Sequence, residues 1–343
     1  MRALSITSSI AAVILLAGCA ATTSEPEAQA PTSASVETPA PTPPPTPTAP
    51  TRPVPTYDVP CETLVPTNLV TDIDSALAPE PQAVTWDVSV SVAQSGVLVC
   101  QWTDDTKDVS PEFFVTVIPD AGASLRTDQI AAYACADDAC FRASRYTDSA
   151  LVTYFSEVPA TTAEVDAILT SASAAVDATT PTPREPANDT WQWGSLADCA
   201  VVEDAAQISA AFHSPEFTVG RSDSGLDVPP LIVARDRGGI LRCTWANAEP
   251  VPAGQLSMVT GNIVPGGAWA WDDLTNRAAT EDDPRISEPV TVPGADAAVY
   301  RCSDDSCEID VSSGGSVASL YLSKSVDMRE LLLAAATALV AVP

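Results

Sequence analysis

The chain has 343 residues, 45% of them hydrophobic, with 16 basic against 45 acidic side chains and a net charge of −29. A balance this acidic excludes recognition of nucleic acid or of an anionic surface through a basic patch, because either needs clustered Lys and Arg. The length is enough for two domains of ordinary size, each with its own core.

Residues 1–18 read as a targeting segment. Arg2 supplies a basic n-region, Ile10 to Ala17 forms a short apolar stretch, and Leu16-Ala17-Gly18-Cys19 closes it. This ending resembles the bacterial lipobox, in which small residues precede an essential cysteine. The resemblance implies a diacylglyceryl group on Cys19, cleavage before it, and Cys19 as the mature N-terminus. The expected location is the extracytoplasmic face of the cell membrane, held there by acyl chains at about 0.8 kcal/mol per buried methylene. Residues 19–58 are rich in Pro, Thr, Ala and Glu, including the run Pro39-Ala40-Pro41-Thr42-Pro43-Pro44-Pro45. Such a segment has little to bury and is expected to be a disordered spacer. At about 3.1 Å per residue in polyproline II it reaches on the order of 100 Å.

The remaining eight cysteines form a repeat. The first copy holds Cys61, Cys100-Gln101-Trp102 and Cys135-x4-Cys140; the second holds Cys199, Cys243-Thr244-Trp245 and Cys302-x4-Cys307. An even number in an exported chain indicates disulfides. If each copy folds alone and both pair alike, three patterns remain. Cys135 and Cys140 flank four residues between strand-like runs and are expected to face each other across a hairpin. Cys61 then joins Cys100, and by analogy Cys199 joins Cys243 and Cys302 joins Cys307. Zinc is the competing reading; it is disfavoured because Cys-x2-Cys spacing is absent, so no metal and no cofactor are expected. The organisation expected is module one at 59–178, a Pro-rich linker at 179–190, and module two at 191–343.

In module one, Leu69, Val70, Ile73 and Leu77 lie near helical spacing after Pro66, which suits a helix start. The alternation Val84, Trp86, Val88, Val90, Val92 predicts a strand, followed by strands over 97–102 and 113–118. The cysteine hairpin, a strand over 150–155 and a helix over 162–176 complete the module. Module two repeats the order: Asp204 and Gln207 read as a capping box before Ile208, then strands over 231–233, 240–245 and 256–263, the second cysteine hairpin, a strand over 317–322 and a helix over 326–342. That last helix is apolar but shorter than the roughly 20 residues that a membrane span needs. Strands bracketed by helices, joined by hairpins, predict an α+β fold: two tandem disulfide-stapled modules, each an antiparallel sheet with helices packed on one face.

The lipobox, the Pro/Thr spacer, Pro60-Cys61 and Asp198-Cys199 before helices, Cys-x-Trp on a strand and a closing helix together resemble a set of actinobacterial envelope domains. These include uncharacterised lipoproteins and the extracellular sensor domain of PknH-type serine/threonine kinases. The abundance of Ala, Pro, Thr, Val and Asp beside two lysines, Lys107 and Lys324, fits a high-GC actinobacterial proteome. The resemblance implies a disulfide-stabilised α/β sandwich with a binding cleft and no catalytic machinery. Unlike the kinase case, no transmembrane helix and no kinase domain are expected from this sequence, so signalling would pass through a partner.

Among candidate functional residues, His213 is the sole histidine and is expected at a helix C-terminus, which leaves little basis for a nucleophile–base pair. Asp137-Asp138 and Asp304-Asp305 sit inside the cysteine hairpins, where turn formation accounts for them better than calcium does. Trp191-x-Trp193 and Trp269-x-Trp271 would project to one side of an extended segment as a ligand platform, or pack against the sheet or between modules. The leading expectation is a non-catalytic binding, sensor or accessory lipoprotein of the cell envelope, with a membrane anchor and an envelope protein or wall ligand as partner. One alternative is a wall-glycan hydrolase using Asp272, Asp273, Glu281, Asp282 or Asp283; another is a structural or assembly factor.

Overall fold

Two short helices open module one, α1 (Cys61–Leu64) and α2 (Thr67–Ile73), with Pro60 and Pro66 at their N-caps. Proline's missing N–H costs nothing there. After β1 (Ala78–Glu80) come α3 (Ser89–Ser95), β2 (Leu98–Thr103), β3 (Glu112–Pro119), β4 (Cys140–Tyr146), β5 (Ala150–Ala160) and α4 (Thr162–Asp177). The strands form an antiparallel sheet in the order β1-β2-β3-β5-β4. A reciprocal capping box starts α4: Glu164 N–H donates to Thr161 Oγ1 at 3.3 Å, and Thr161 N–H donates to Glu164 Oε2 at 2.6 Å. The helix buries Val165, Ile168, Leu169, Ala172 and Val176, an i, i+3, i+4, i+7 stripe. That stripe meets Trp102, Phe113, Val115, Val152 and Tyr154 from one face of the sheet.

Module two runs α5 (Cys199–Ala206), α6 (Ile208–Ala211), β6 (Thr218–Arg221), β7 (Leu241–Ala246) and β8 (Met258–Val264). A 3-10 turn (Gly267–Ala270), α7 (Trp271–Thr275), β9 (Ile286–Pro289), β10 (Ala297–Cys302), β11 (Ser306–Ser313), β12 (Ser316–Ser323) and α8 (Arg329–Val340) follow. Its sheet has the order β6-β7-β8-β12-β11-β10-β9. The first five positions repeat the order of module one, so the cysteine repeat is matched by a repeat of topology, with β10 and β9 as an extension. The computed structural model describes residues 51–80, 89–104, 106, 112–119, 135, 139–183, 191–214, 216–222, 238–248, 256–276, 286–323 and 328–343.

Four disulfides staple the sheets: Cys61–Cys100, Cys135–Cys140, Cys199–Cys243 and Cys302–Cys307. One in each module ties the first helix to the second strand across 39 or 44 residues. The others close loops of five-residue separation, and Cys302 and Cys307 are register partners on β10 and β11. Two residues beyond each strand cysteine the tryptophan is buried, but the two rings are held differently. Trp102 stacks on Phe113 with centroids 4.6 Å apart. Trp245 donates from Nε1 to Glu203 Oε2 at 2.8 Å and occupies space that Gly261 leaves open, since a Cβ there would sit 2.9 Å from its ring.

Three local expectations are corrected. Residues 89–95 form a helix and not the end of a strand over 84–92, whose other residues, like those at 231–233, lie outside the described set. Helix α3 packs between β2 and the 3-10 turn of module two, so Val90, Val92, Gln94 and Ser95 are all buried. A helix enclosed on several sides has no polar stripe to betray its period. The second correction concerns the start of module two. Asp198, not Asp204, caps α5 by accepting from Val201 N–H at 2.9 Å. Asp204 lies within α5, and Gln207 is a left-handed hinge (φ 50°) between α5 and α6. Glu203 receives the Ser209 N–H at 3.2 Å and so supplies the acceptor at the start of α6. Third, the closing helix of module two spans Arg329–Val340, with 324–327 outside the described residues. No helix among the described residues is long and apolar enough to cross a membrane.

The modules lie in one compact unit and share a small core of their own. Val90 of module one joins Ile240, Val264, Ala270, Leu274 and Val317 of module two. Gln94 Nε2 donates to Pro265 O at 3.2 Å across the same seam. The linker is tied back as well, for Thr182 N–H donates to Thr56 O at 2.8 Å.

Candidate functional site

The tryptophan pairs do not alternate along extended backbone. Trp191 and Trp193 lie in a turn in which Trp193 has φ 64°, so the two rings diverge. Trp193 is fully buried and donates from Nε1 to Leu339 O at 3.0 Å. Between them, Gln192 Nε2 donates to the carbonyls of Val340 and Val342, while its own carbonyl accepts from Ser316 Oγ at 2.8 Å. Trp191 lies over Gly266, where a Cβ would approach its ring to 2.2 Å. The segment is thus a strap that fastens the C-terminal end of α8 to the β11–β12 turn and the 3-10 turn.

Trp269 and Trp271 stand in the 3-10 turn and at the start of α7, and both pack against the inter-module core. The Arg52 guanidinium lies 5.4 Å from the centre of the Trp269 ring. A continuous helical path separates these two rings by about 200°, given 3.6 residues per turn, whereas a strand would have aligned them. The four tryptophans are therefore parts of two separate packing devices, with no shared surface made by alternation.

The other candidates disperse. Asp272 and Asp273 are exposed in the first turn of α7, and Glu281, Asp282 and Asp283 lie outside the described residues, as do Asp137, Asp138 and Cys19. Asp304 and Asp305 occupy the tip of the β10–β11 hairpin, where Ser303 Oγ accepts from the Asp305 and Ser306 N–H groups at 3.3 and 3.2 Å. His213 follows α6 in the left-handed region, and its N–H donates to Ala210 O at 3.0 Å. Among the described residues no group of three or more His, Cys, Asp or Glu side chains could hold a metal ion.

What the structure brings together instead is a charged cluster on the second face of the module-two sheet. Residues Ala298, Tyr300, Cys307, Ile309, Val311, Ala318, Leu320 and Leu322 face the helices. Strand alternation therefore turns Arg301, Glu308, Asp310 and Ser319 the other way. Arg301 is 2% exposed, Glu308 6% and Asp310 0%. Arg301 Nη1 donates to Glu308 Oε1 at 2.8 Å and also to Asp310 Oδ2, and Nη2 donates to the Leu274 carbonyl of α7 at 3.1 Å. Burial, then repulsion from Glu308, push the Asp310 carboxyl up to about 7, although Arg301 and Ser319 pull it down. The two carboxylates raise Arg301 above its ordinary value despite its burial. In the same face, the register aligns Arg242, Asn262, Ser319 and Asp310 in one row across β7, β8, β12 and β11.

Sequence reasoning passed over this cluster, yet a signal existed. A Cys302–Cys307 bridge fixes the hairpin register and so sets Arg301 opposite Glu308, with Asp310 two residues on along the same face. What the sequence lacks is a mark that this face is covered. Comparison with known protein families, with curated proteins and with solved structures returns no match.

Proposed function

We propose that the chain is a lipid-anchored lipoprotein of the cell envelope, held at the extracytoplasmic face by Cys19, that acts without catalysis as a sensor or accessory subunit binding an envelope protein or wall ligand. The observation that carries this reading is the set of four disulfides distributed over two copies of one fold. Such staples belong to oxidising, extracytoplasmic compartments, which is where a lipobox would send the chain. The long Pro-rich segment before the modules would hold them away from the membrane.

The seam refines where a partner would bind. Val90, Gln94 and the flank of Trp269 are engaged between the modules, so the pair is offered as a joined body and not as two jaws around an open cleft. Cross-linking in intact cells, followed by identification of what is recovered with the chain, tests the reading. Recovery of one envelope protein with the wild type, and its loss with Cys19→Ala, is the expected result. Equal recovery of that protein with Cys19→Ala, or wall-glycan turnover by the purified chain, would overturn it.

A further inference from the structure

The seam between the modules is crossed by a third piece of chain. Residues 51–57, Thr51-Arg52-Pro53-Val54-Pro55-Thr56-Tyr57, lead into the first helix of module one. Their C-terminal end is fixed to that module. Tyr57 is buried and its hydroxyl donates to Ser149 O at 3.2 Å, while Thr56 N–H donates to Gly96 O at 2.9 Å. Their N-terminal end lies on the other module, where the Arg52 guanidinium sits over the Trp269 ring. Between Arg2 and Lys107 the sequence holds a single basic residue, and it is this arginine.

The two ends of the segment grip the two sides of the seam. Gly96 directly follows α3, whose Val90 enters the shared core and whose Gln94 donates to Pro265 O. Trp269 stands in the 3-10 turn that begins just after Pro265 and Gly266. The Gln94–Pro265 bond is therefore close in sequence, on both of its sides, to an attachment point of the segment. Glycine is needed at 96, where φ is 72° and a Cβ would lie 2.6 Å from Thr56 Oγ1. Pro53 and Pro55 fix their own φ and bias Arg52 and Val54 toward extended backbone. The segment is thus stiffened before it docks and loses little freedom on docking. At about 3.1 Å per residue it spans roughly 12 Å from Arg52 to Thr56.

We propose that residues 51–57 form a clasp across the seam. Arg52 on Trp269 and Thr56 on Gly96 hold the 3-10 turn of module two against the end of α3 of module one, so that release of the segment loosens the contact between the modules. Arg52 is exposed, and an exposed cation over a ring is the weaker of the two attachments, so the clasp opens from its N-terminal end. That end continues toward Cys19, and a pull on the chain before Thr51 reaches Trp269 first. The clasp does not depend on whether Cys19 carries lipid; only the membrane as the origin of such a pull rests on the anchored reading above.

The test uses the full chain with its disulfides formed. Hydrogen exchange is followed at 89–95 and at 267–275, with the β10–β11 hairpin over 297–313 as internal control, in wild type, Arg52→Gln and Arg52→Lys. Arg52→Gln is expected to raise exchange about two- to fivefold at both segments, as loss of an exposed cation–π contact allows, and to leave the hairpin unchanged. Arg52→Lys, which restores a cation over the ring, is expected to return both segments toward wild type. Unchanged exchange in Arg52→Gln overturns the proposal, as does an equal rise in the hairpin, which would report a loss of stability throughout module two. Exchange in Arg52→Lys as fast as in Arg52→Gln overturns the role given to the cation. A second measurement needs no variant: in selectively labelled wild type the Arg52 side-chain protons are expected upfield, shielded by the Trp269 ring, and random-coil positions would overturn the clasp. An unmodified Cys19 would remove the membrane pull and leave these readings in place, so the two failures are distinguishable.

Discussion

Module one and module two share a strand order but differ in what the second face of the sheet carries. Register makes the correspondence explicit. Cys100 matches Cys243, and the row Thr116–Thr153–Ser144 across β3, β5 and β4 matches Asn262–Ser319–Asp310 across β8, β12 and β11. Ser144 therefore stands where Asp310 does. By the same alignment Arg142 stands where Glu308 does, and Phe155 where Tyr321 does. Arg142 lies 5.3 Å above the Phe155 ring, an attraction that needs no buried carboxylate. The helix-facing sides are conserved in kind, apolar in both copies. One fold thus tolerates two chemistries on its second face because the helices, the disulfides and the first face already secure it.

The contrast can be broken at its strongest point by removing the cation. Arg301→Met removes the guanidinium that donates to both buried acids and is expected to destabilise module two by about 3–5 kcal/mol. Arg142→Met in module one should cost less than about 1 kcal/mol. Denaturant unfolding of the two variants measures both, and equal losses would deny that the modules differ in this respect.

Staples sharpen the comparison next. Under the chain-entropy model, deleting either long-range bridge, Cys61–Cys100 or Cys199–Cys243, should cost about 4 kcal/mol, and deleting either hairpin bridge about 2 kcal/mol. The expectation is symmetry between modules and asymmetry between bridge types, read from unfolding midpoints of paired Cys→Ala variants. A smaller effect is expected at the seam, where Val90→Ala removes two buried methyl groups worth about 1.5–2 kcal/mol. This variant should separate a joint calorimetric transition into two, because the loss falls on the contact between modules. Smallest are the caps: Thr161→Ala at α4 and Asp198→Ala at α5 should each cost about 1 kcal/mol, a difference of a few degrees in melting temperature for the module affected.

The parts of the fold that were legible before the structure are those set by local pattern. The Cys-x-Trp strands and the amphipathic α4 carry period-two or helical spacing, while the runs over β3 and β5 are nearly continuous apolar stretches buried on both faces; all stand where local pattern put them. Legibility failed where an element is enclosed on several sides. Val90 and Val92 alternate with small polar residues but belong to a helix between β2 and the second module. The capping of α6 was missed for a related reason. Its acceptor is Glu203, brought close by the left-handed turn at Gln207 and itself held by Trp245 from a strand 42 residues on. The platform reading of the tryptophan pairs assumes an extended backbone, which neither segment has, whereas the packing reading requires only burial. The Arg301 cluster was hidden because alternation shows that two faces differ, while only tertiary packing decides whether the polar one is covered.

The proposed function places two copies of one disulfide-stapled fold on a lipid anchor outside the cytoplasm. Mass spectrometry of unreduced peptides from the protein in its native membrane fraction tests this most directly. The account predicts a diacylglyceryl-modified N-terminal peptide beginning at Cys19, together with four bridged peptides joining Cys61 to Cys100, Cys135 to Cys140, Cys199 to Cys243 and Cys302 to Cys307. An unmodified Cys19 on a chain whose other eight cysteines are free thiols would contradict it.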